Sequence, residues 1–491
     1  MKTHDKYIGF HIRILKGKSK KNKKFRKTIL LLAIVFVLVY LIAGATIPYM
    51  IQPEVSEMYQ ESFRTEDFYS ETLSTDRAVI ISDNGEALEE RIRLMEHAKE
   101  RIILSTFDFC SDTSGKQVIA ALIQAAQRGV RVQVLMDGFY SWLHMEGNPW
   151  FYALAAEENV EVRIYNRLNP LFPWKGLSRM HDKYLIADDT AYILGGRNTF
   201  DYFLGDQDSY KNHDRDVLVY CAGKKESSLS QLTDYFSEVW NLDYCKPWKE
   251  GEWVLKLPSV KKAEKELKQM YQDMKREHPQ WFETIDYKKV TVETNKITLL
   301  SNPTGLYSKE PRVFYALGRL MEEAQEEVII HTPYIICNDW MYDTFRSICA
   351  DGKTVKLMTN SALNNGNPFG AVDYALHKDE ILDTGLCVLE YQGGVSYHGK
   401  SIAIDDELAI VGSFNMDMKS VYQDTELMLV VQSKELNKQL RDSMDIYHAE
   451  AVEADGDVDD INALFQKGTP FSKKVERFLV KILNPWLRSF M

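Results

Sequence analysis

Apolar and polar positions along this chain fall into blocks, and the blocks recur. Tyr184–Ala187 and Ala191–Leu194 are short apolar runs on either side of a polar turn, and Ser401–Ile404 and Leu408–Val411 repeat the arrangement. Apolar run, acidic turn, apolar run predicts a β-hairpin. The runs are apolar at nearly every position instead of every second one, the pattern of strands covered by helices on both faces. Upstream of each hairpin the resemblance between the halves continues. Arg93-Leu-Met-Glu-His-Ala-Lys-Glu-Arg-Ile-Ile-Leu-Ser-Thr echoes Arg319-Leu-Met-Glu-Glu-Ala-Gln-Glu-Glu-Val-Ile-Ile-His-Thr, and Gly129-Val-Arg-Val-Gln-Val-Leu-Met echoes Gly352-Lys-Thr-Val-Lys-Leu-Met. Helix–strand, helix–strand, hairpin in both halves predicts an internally duplicated α/β chain, two pseudo-symmetric lobes each with a central sheet flanked by helices.

The ends of the chain depart from this rhythm. No charged residue occurs from Thr28 to Pro53, and Ile29–Tyr49 is apolar enough to cross about 30 Å of hydrocarbon as a helix. Ala43-Gly-Ala45 offers a signal-peptide cleavage site, but the long basic region and long apolar run favour an uncleaved anchor. The expected organisation is a basic tail (1–28), a transmembrane helix (29–51), a stalk (52–76), lobe 1 (77–245), an inter-lobe segment with a charged helix near Ser259–Arg276 (246–294), lobe 2 (295–450) and a C-terminal region (451–491). In that last region Val475, Phe478, Leu479, Ile482, Leu483, Trp486 and Leu487 recur at helical steps opposite Lys473, Lys474, Arg477, Lys481 and Arg488. The pattern suits a helix in a membrane interface or one docked on the protein's own core, bent or ended by Pro485. The Asn169–Trp174 loop, rich in Pro and aromatics, is open to the same two readings, core packing or lipid contact.

Charge sharpens the picture. The net charge of −11 conceals 11 Lys/Arg against one acid in residues 1–27, leaving 49 bases against 70 acids elsewhere. By the positive-inside rule the tail is cytoplasmic and the body lies outside. An acidic body is a poor nucleic-acid binder, so none is expected as partner. The six cysteines show no metal or disulfide spacing, and the acidic stretch Asp455–Asp460 lacks the Gly and Glu of a calcium loop; no metal or cofactor is implied.

The candidate chemistry sits on the hairpins. His181-x-Lys183 is followed by Asp188, and His398-x-Lys400 by Asp405; each His is followed 17 residues later by an Asn, Asn198 in Gly-Gly-Arg-Asn and Asn415 in Gly-Ser-Phe-Asn. A hairpin with a two-residue turn sets His181 opposite Asn198 and Lys183 opposite Gly196, with the same pairing in the second copy; Asp-Thr and Asp-Glu are not favoured there, so the loop could be a residue or two longer. Either way His, Lys and Asn of each copy converge at one end of a sheet.

These motifs, with His213-Asp-Arg-Asp216-Val, Val411-Gly-Ser-Phe-Asn-Met-Asp417 and Thr425-Glu426, resemble the phospholipase D superfamily with two HKD motifs, and most of all its bacterial cardiolipin synthase branch, over roughly residues 77–491. The resemblance implies a phosphatidyltransferase without cofactor. His181 would form a phospho-histidine and His398 would be acid and base, while Lys183, Lys400, Asn198 and Asn415 hold phosphate oxygens. The sequence alone does not tell the two histidines apart. Glu426, 11 residues past Asn415, matches the position of a carboxylate that fixes a histidine tautomer; Asp216 is its counterpart in the first copy, with Asp214 as the fallback. Ser413 is a one-sided hydroxyl, because Gly196 replaces it in the first copy, and Asp188 and Asp405 are expected to be structural. The implied substrates are phosphatidylglycerol as acceptor, with a second phosphatidylglycerol or phosphatidylethanolamine as donor. One span, where many members of the branch begin with two, is a departure. A phospholipid-hydrolysing relative is the alternative reading, with a nuclease and a non-catalytic membrane scaffold behind it.

Overall fold

Both hairpins form where the apolar runs place them. In the computed structural model the backbone is described for residues 4–169, 171–206, 210–222, 227–248, 251–456, 460–466 and 469–491, and side chains for the same residues from 25 onward except 45, 173 and 252. The first hairpin pairs Tyr184 with Leu194 through Ala187 with Ala191, and the second pairs Ser401 with Val411 through Ile404 with Leu408. The turns are therefore three residues long. Lys183 lies opposite Gly195, whose N–H donates to the Lys183 carbonyl at 3.2 Å, and Lys400 lies opposite Gly412 in the same way. The register is one residue off the two-residue-turn expectation, because Asp188 (φ 52°) and Asp405 (φ 46°) open each turn in the left-handed region, which Asp tolerates better than most residues.

Those two aspartates also anchor the hairpins. Asp188 accepts the backbone N–H groups of Lys99, Glu100 and Arg101 at 2.8–2.9 Å, and Asp405 those of Gln325, Glu326 and Glu327 at 2.8–3.0 Å. Each thereby caps the start of the strand that flanks its hairpin, Arg101–Thr106 or Glu327–His331. Burial alone would raise the Asp405 carboxyl, but the three donors pull it below its usual value.

Among the described residues the lobes carry a nine-stranded and an eight-stranded sheet with one shared order. On one side of the first hairpin Arg101–Thr106, Arg131–Asp137 and Val160–Tyr165 run parallel; on the other lie Asp216–Cys221 and Asp76–Ile81. Glu327–His331, Thr354–Asn360 and Cys387–Tyr391, then Leu427–Gln432 and Lys296–Ser301, repeat this in lobe 2. The sheets meet across one apolar cluster that takes Ile103, Ile186 and Leu194 from the first and Ile329, Ala403 and Val411 from the second. The helices Ser228–Trp240 and Lys434–His448 pack into the same cluster through Leu232 and Phe236, and Leu436 and Leu440. The outer helices close two further clusters, one per lobe.

The charged helix spans Pro258–Glu277 and buries Val260, Ala263, Leu267, Tyr271 and Met274 against lobe 1. The inter-lobe segment is thus an added layer of that lobe, and its last strand, Val292–Glu293, pairs with Asp76–Ile81. Of the acidic turn, residues 457–459 lie outside the described residues, while Asp460 pairs with Lys378 at 3.0 Å. All six cysteines are free; Cys110, Cys349 and Cys387 are partly exposed.

At the N-terminus one helix runs His4–Met50, and its Phe25–Met50 stretch is long and apolar enough to cross a membrane, with none of the apolar window buried. Its end is fixed to the body: buried Tyr49 donates to the Trp174 carbonyl at 2.9 Å and stands edge-on to Phe490, while Tyr40 meets the Trp174 ring at 4.8 Å. The described part of the 169–174 loop therefore lies against the apolar helix, with Leu171 72% exposed. The C-terminal helix Phe471–Leu487 divides its faces. Val480 and Asn484 are buried, with Asn484 donating to Asp373 at 2.8 Å, whereas Phe471, Phe478, Ile482 and Trp486 face outward. Pro485 sits in the last turn, and the helix ends two residues beyond it.

Because Asp405 accepts three backbone N–H groups, Asp405→Ala should lower stability by about 1–3 kcal/mol, and Asp405→Asn, which keeps the left-handed preference, by less. Thermal unfolding of the three proteins checks this. Equal melting temperatures for Ala and wild type would remove the anchoring role.

Candidate active site

The sharp feature of the site is that the lobes exchange backbone contacts just where the motifs begin. Met180 bridges Thr425 and His213 bridges Tyr397, both parallel. The His181 N–H donates to the Thr425 carbonyl at 3.2 Å, and the His398 N–H to the His213 carbonyl at 2.6 Å. Each histidine is thus laid beside the residue that precedes a carboxylate of the opposite lobe. The side chains complete the crossing: His181 Nδ1 lies 2.8 Å from Glu426 Oε1, and His398 Nδ1 lies 2.6 Å from Asp214 Oδ2. A carboxylate on Nδ1 fixes the ring and leaves Nε2 outside that pairing.

Asp214, and not Asp216, therefore occupies the position equivalent to Glu426. Register gives the reason: Gly195 pairs with Asp216 as Gly412 pairs with Met428, so the residue two before each partner, Asp214 or Glu426, projects at the strand end. Between Asn and carboxylate the first copy has five more residues than the second. Asp216 is fully buried and pairs with Arg91 at 2.9 Å and Arg197 at 3.2 Å, a structural triad within lobe 1. The same closeness explains Gly196, since a Cβ there would come 2.3 Å from Asp214 Oδ1. In the second copy Ser413 donates to Glu426 Oε2 at 2.5 Å, and Ser420, which sequence reasoning missed, to Oε1 at 2.6 Å.

The lysines lie against the rings they follow. Lys183 Nζ donates to the His181 carbonyl and stands 5.0 Å over the Phe107 ring; Lys400 Nζ donates to the His398 carbonyl and lies 2.8 Å from His398 Nδ1. Burial pulls Lys183 down to about 8 and Lys400 down to about 7, although Glu426 and Asp214 favour their charge. Burial and Lys400 bring His398 to about 4, and burial and Lys183 hold His181 well below its usual value, so both rings are neutral near pH 7. Burial lifts Glu426 to about 8 against Lys183 and the serine hydroxyls. Asp214 goes the other way: burial would raise it, but Lys400 and His398 hold it well below the carboxylate range. Asn198 Oδ1 and Asn415 Oδ1 are buried without a hydrogen-bond partner. Two amides, two amines and two oriented imidazoles around one point suit an oxyanion that gains charge and a proton that must move.

A cavity of about 350 Å³ is lined by His181, Asn415, Arg179 and Lys419, together with Tyr140, Phe369, Leu487 and Phe490. Arg179, unmarked by any repeat, is held by Asp137 at 2.9 Å and stacks over Phe107, Phe139 and Tyr140. The end of the C-terminal helix thus forms part of the wall, and the apolar N-terminal helix reaches the same corner through Tyr49 and Phe490. Phe107 packs edge-on against His181 at 4.6 Å, and Phe203 does the same for His398 at 4.9 Å, a symmetry visible only in three dimensions.

The family described as "Cardiolipin synthase, PLD-like domain" matches residues 92–240 and 317–446. The chain is 24% identical to cardiolipin synthase C of Escherichia coli K12, over 72% of this chain and 80% of that protein. It is 22% identical to a cardiolipin synthase of Alkalihalophilus pseudofirmus, over 83% and 72% respectively. The crystal structure of a phosphatidylserine synthase from Haemophilus influenzae Rd KW20 has the same fold, with a TM-score of 0.59 over 84% of this chain and 95% of that one, at 15% identity.

The two aspartates separate experimentally. In ¹⁵N-imidazole NMR of wild type, His398 should titrate near 4. Asp214→Asn should move that midpoint lower still, since the favourable charge is lost. Asp216→Asn should leave it in place while costing about 3–5 kcal/mol of stability, because two buried guanidinium groups lose their partner. The reverse outcome would restore Asp216 as the partner of His398.

Proposed function

Because the chain belongs to the phospholipase D-like family of cardiolipin synthases, we propose that it is a membrane-anchored phosphatidyltransferase that makes cardiolipin-type lipids by way of a phospho-histidine. The observation that carries this is the crossed pair of imidazole–carboxylate contacts, His181 with Glu426 and His398 with Asp214, closing one site between the lobes. In the first half-reaction His181 Nε2 attacks phosphorus and forms the N–P bond. The P–O bond to the leaving head-group alcohol, glycerol or ethanolamine according to the donor, breaks, and His398, protonated once the anionic phosphodiester has entered, gives its proton to that oxygen. In the second, His398 takes the proton of an acceptor hydroxyl, whose oxygen attacks phosphorus and frees His181. Lys183, Lys400, Asn198 and Asn415 face the non-bridging oxygens, and Glu426 balances the charge on the phosphorylated ring. The acceptor is phosphatidylglycerol, and the donor is a second phosphatidylglycerol or phosphatidylethanolamine.

The surroundings support a lipid substrate over water or nucleic acid. The cavity is lined in part by Tyr140, Phe369, Leu487 and Phe490, and the helices that carry Tyr140 and Leu487 also expose Trp142 and Leu143, and Phe478, Ile482 and Trp486. Large apolar side chains exposed on the helices that line a site belong at a bilayer. The basic tail is cytoplasmic in this reading and the body lies outside.

Wild type with phosphatidylglycerol should yield cardiolipin and free glycerol, with phosphatidic acid minor; dominant phosphatidic acid would make the protein a hydrolase. With a phosphorus-labelled p-nitrophenyl phosphodiester, acid-labile label should build up on His398→Ala and be absent from His181→Ala. General-acid help is worth about 10²–10⁴-fold, so His398→Ala should suffer far more with the alkyl donor than with the activated one. Label trapped on His181→Ala would exchange the two roles.

Replacing Phe478, Ile482 and Trp486 together by Ser should raise KM for vesicle-bound phosphatidylglycerol by about tenfold or more, with little change toward a soluble short-chain donor, since each large apolar side chain contributes roughly 1.5–3 kcal/mol on burial. Equal losses on both substrates would place these side chains in the fold and not at the membrane.

A further inference from the structure

Behind the wall of the cavity lies a second group of polar side chains that the chemistry above does not use. The helix Gly138–His144 carries Tyr140 into the cavity, and its last residue turns back to the segment that follows the strand Arg101–Thr106. There His144 Nε2 lies 3.5 Å from Asp108 Oδ1, and Cys110 Sγ lies 3.7 Å from the same oxygen. The three ligand atoms are all within 4.8 Å of one another. Around a tetrahedral ion with bonds of about 2.0–2.3 Å, neighbouring ligand atoms stand about 3.3–3.7 Å apart. The spacing of this group already approaches that of such a shell.

Electrostatics points the same way. Asp108 is 7% exposed, and no Lys or Arg among the described residues forms an ion pair with it. A buried carboxylate without a cation is costly, and a divalent ion would supply the missing charge. Cys110 is partly exposed and His144 is 29% exposed, so an ion and a water can reach the group.

We propose that Asp108, Cys110 and His144 form a binding site for a borderline-soft divalent transition ion of the Zn²⁺ type, with water as fourth ligand. Binding replaces the S–H bond of Cys110 by a metal–sulfur bond, and the thiol proton leaves to solvent, as does the Asp108 proton where one is held. Mg²⁺ and Ca²⁺ are excluded by the ligand set, because they prefer oxygen throughout. The ion takes no part in phosphoryl transfer. It ties the cavity-wall helix to Phe107, which packs on His181, and to the Asp108 carbonyl, which accepts the Thr199 N–H at 2.9 Å beside Asn198. The site therefore positions one side of the reaction centre.

The test uses the full chain purified in detergent, with Co²⁺ as optical probe and Zn²⁺ as competitor. Wild type should bind one equivalent of Co²⁺ with a thiolate-to-cobalt band and the intense visible bands of a tetrahedral site; Zn²⁺ should abolish them, and Mg²⁺ and Ca²⁺ should not. Cys110→Ser should lose the thiolate band, and His144→Asn should bind at least ~10–100-fold more weakly, the loss already seen when only an outer partner of a metal ligand is removed. Zn²⁺ should raise the melting temperature of wild type more than that of either variant. The thiolate band persisting in Cys110→Ser would put the ion on another of the six cysteines and overturn the proposal, as would wild-type and His144→Asn affinities that agree. His144→Asn decides the matter even if Cys110→Ser fails to fold.

Discussion

Neither histidine of this protein can be oriented by its own lobe. His181 takes Glu426 from lobe 2, and His398 takes Asp214 from lobe 1, so the imidazoles acquire fixed rings only when the lobes are docked. That requirement accounts for the architecture around them. The hairpins stand in the middle of their sheets, which buries both faces, and each is held at its turn by an aspartate that caps the neighbouring strand. The shared cluster between the sheets presses the strand ends together where the bridges Met180–Thr425 and His213–Tyr397 form. A hydrogen bond between a ring and a carboxylate tolerates little error, and close-packed cores transmit little.

Burial sets the electrical state of the site as firmly as it sets the geometry. Lys183, Lys400 and His398 all lie well below their ordinary values because desolvation disfavours their charge. Near pH 7 His398 is thus neutral and Lys400 close to its midpoint, and an arriving anion draws protons onto the groups that will serve it. In the same lobe the Arg91–Asp216–Arg197 triad ties a buried carboxylate to two guanidinium groups, which suits support and not proton transfer. Different partners sort two buried carboxylates, Asp214 just before the strand and Asp216 at its start, into different work.

Much of this was written in the repeats. Matching blocks at Arg93 and Arg319, and matching His-x-Lys and Gly-x-x-Asn spacings, carry the duplicated α/β fold and the convergence of His, Lys and Asn, because strand periodicity is a local property. What the sequence withheld was non-local. The carboxylate opposite each histidine depends on the register between neighbouring strands, where an insertion of five residues before Asp214 hides the correspondence with Glu426. Phe107, Phe203, Arg179 and Ser420 carry no repeat signal, since each is brought to the site by tertiary packing. In sequence the helix Pro258–Glu277 is legible only as a charged helix of the inter-lobe segment, because its apolar stripe is narrow among many charges, yet that stripe is enough to bind it to lobe 1.

The departures from twofold symmetry give the two halves different surroundings. Ser413 and Ser420 both donate to Glu426, whereas Gly196 offers Asp214 no hydroxyl, and Lys400 and His398 act on that carboxylate instead. Burial raises the carboxylate behind His181 in spite of its two serine donors, whereas Lys400 and His398 depress the one behind His398 against the same burial. A partner held near its ionisation point can follow a ring that turns cationic on phosphorylation and neutral on release, while a permanently ionised partner favours a ring that must hold a proton between two transfers. The cavity adds a steric difference, for it is walled by His181 and by the chain's own C-terminal residues, whereas His398 is backed by Phe203 and the longer loop of lobe 1. Under the mechanism proposed above, attack falls to His181, the ring that lines the cavity, and proton transfer to His398, the ring outside that lining.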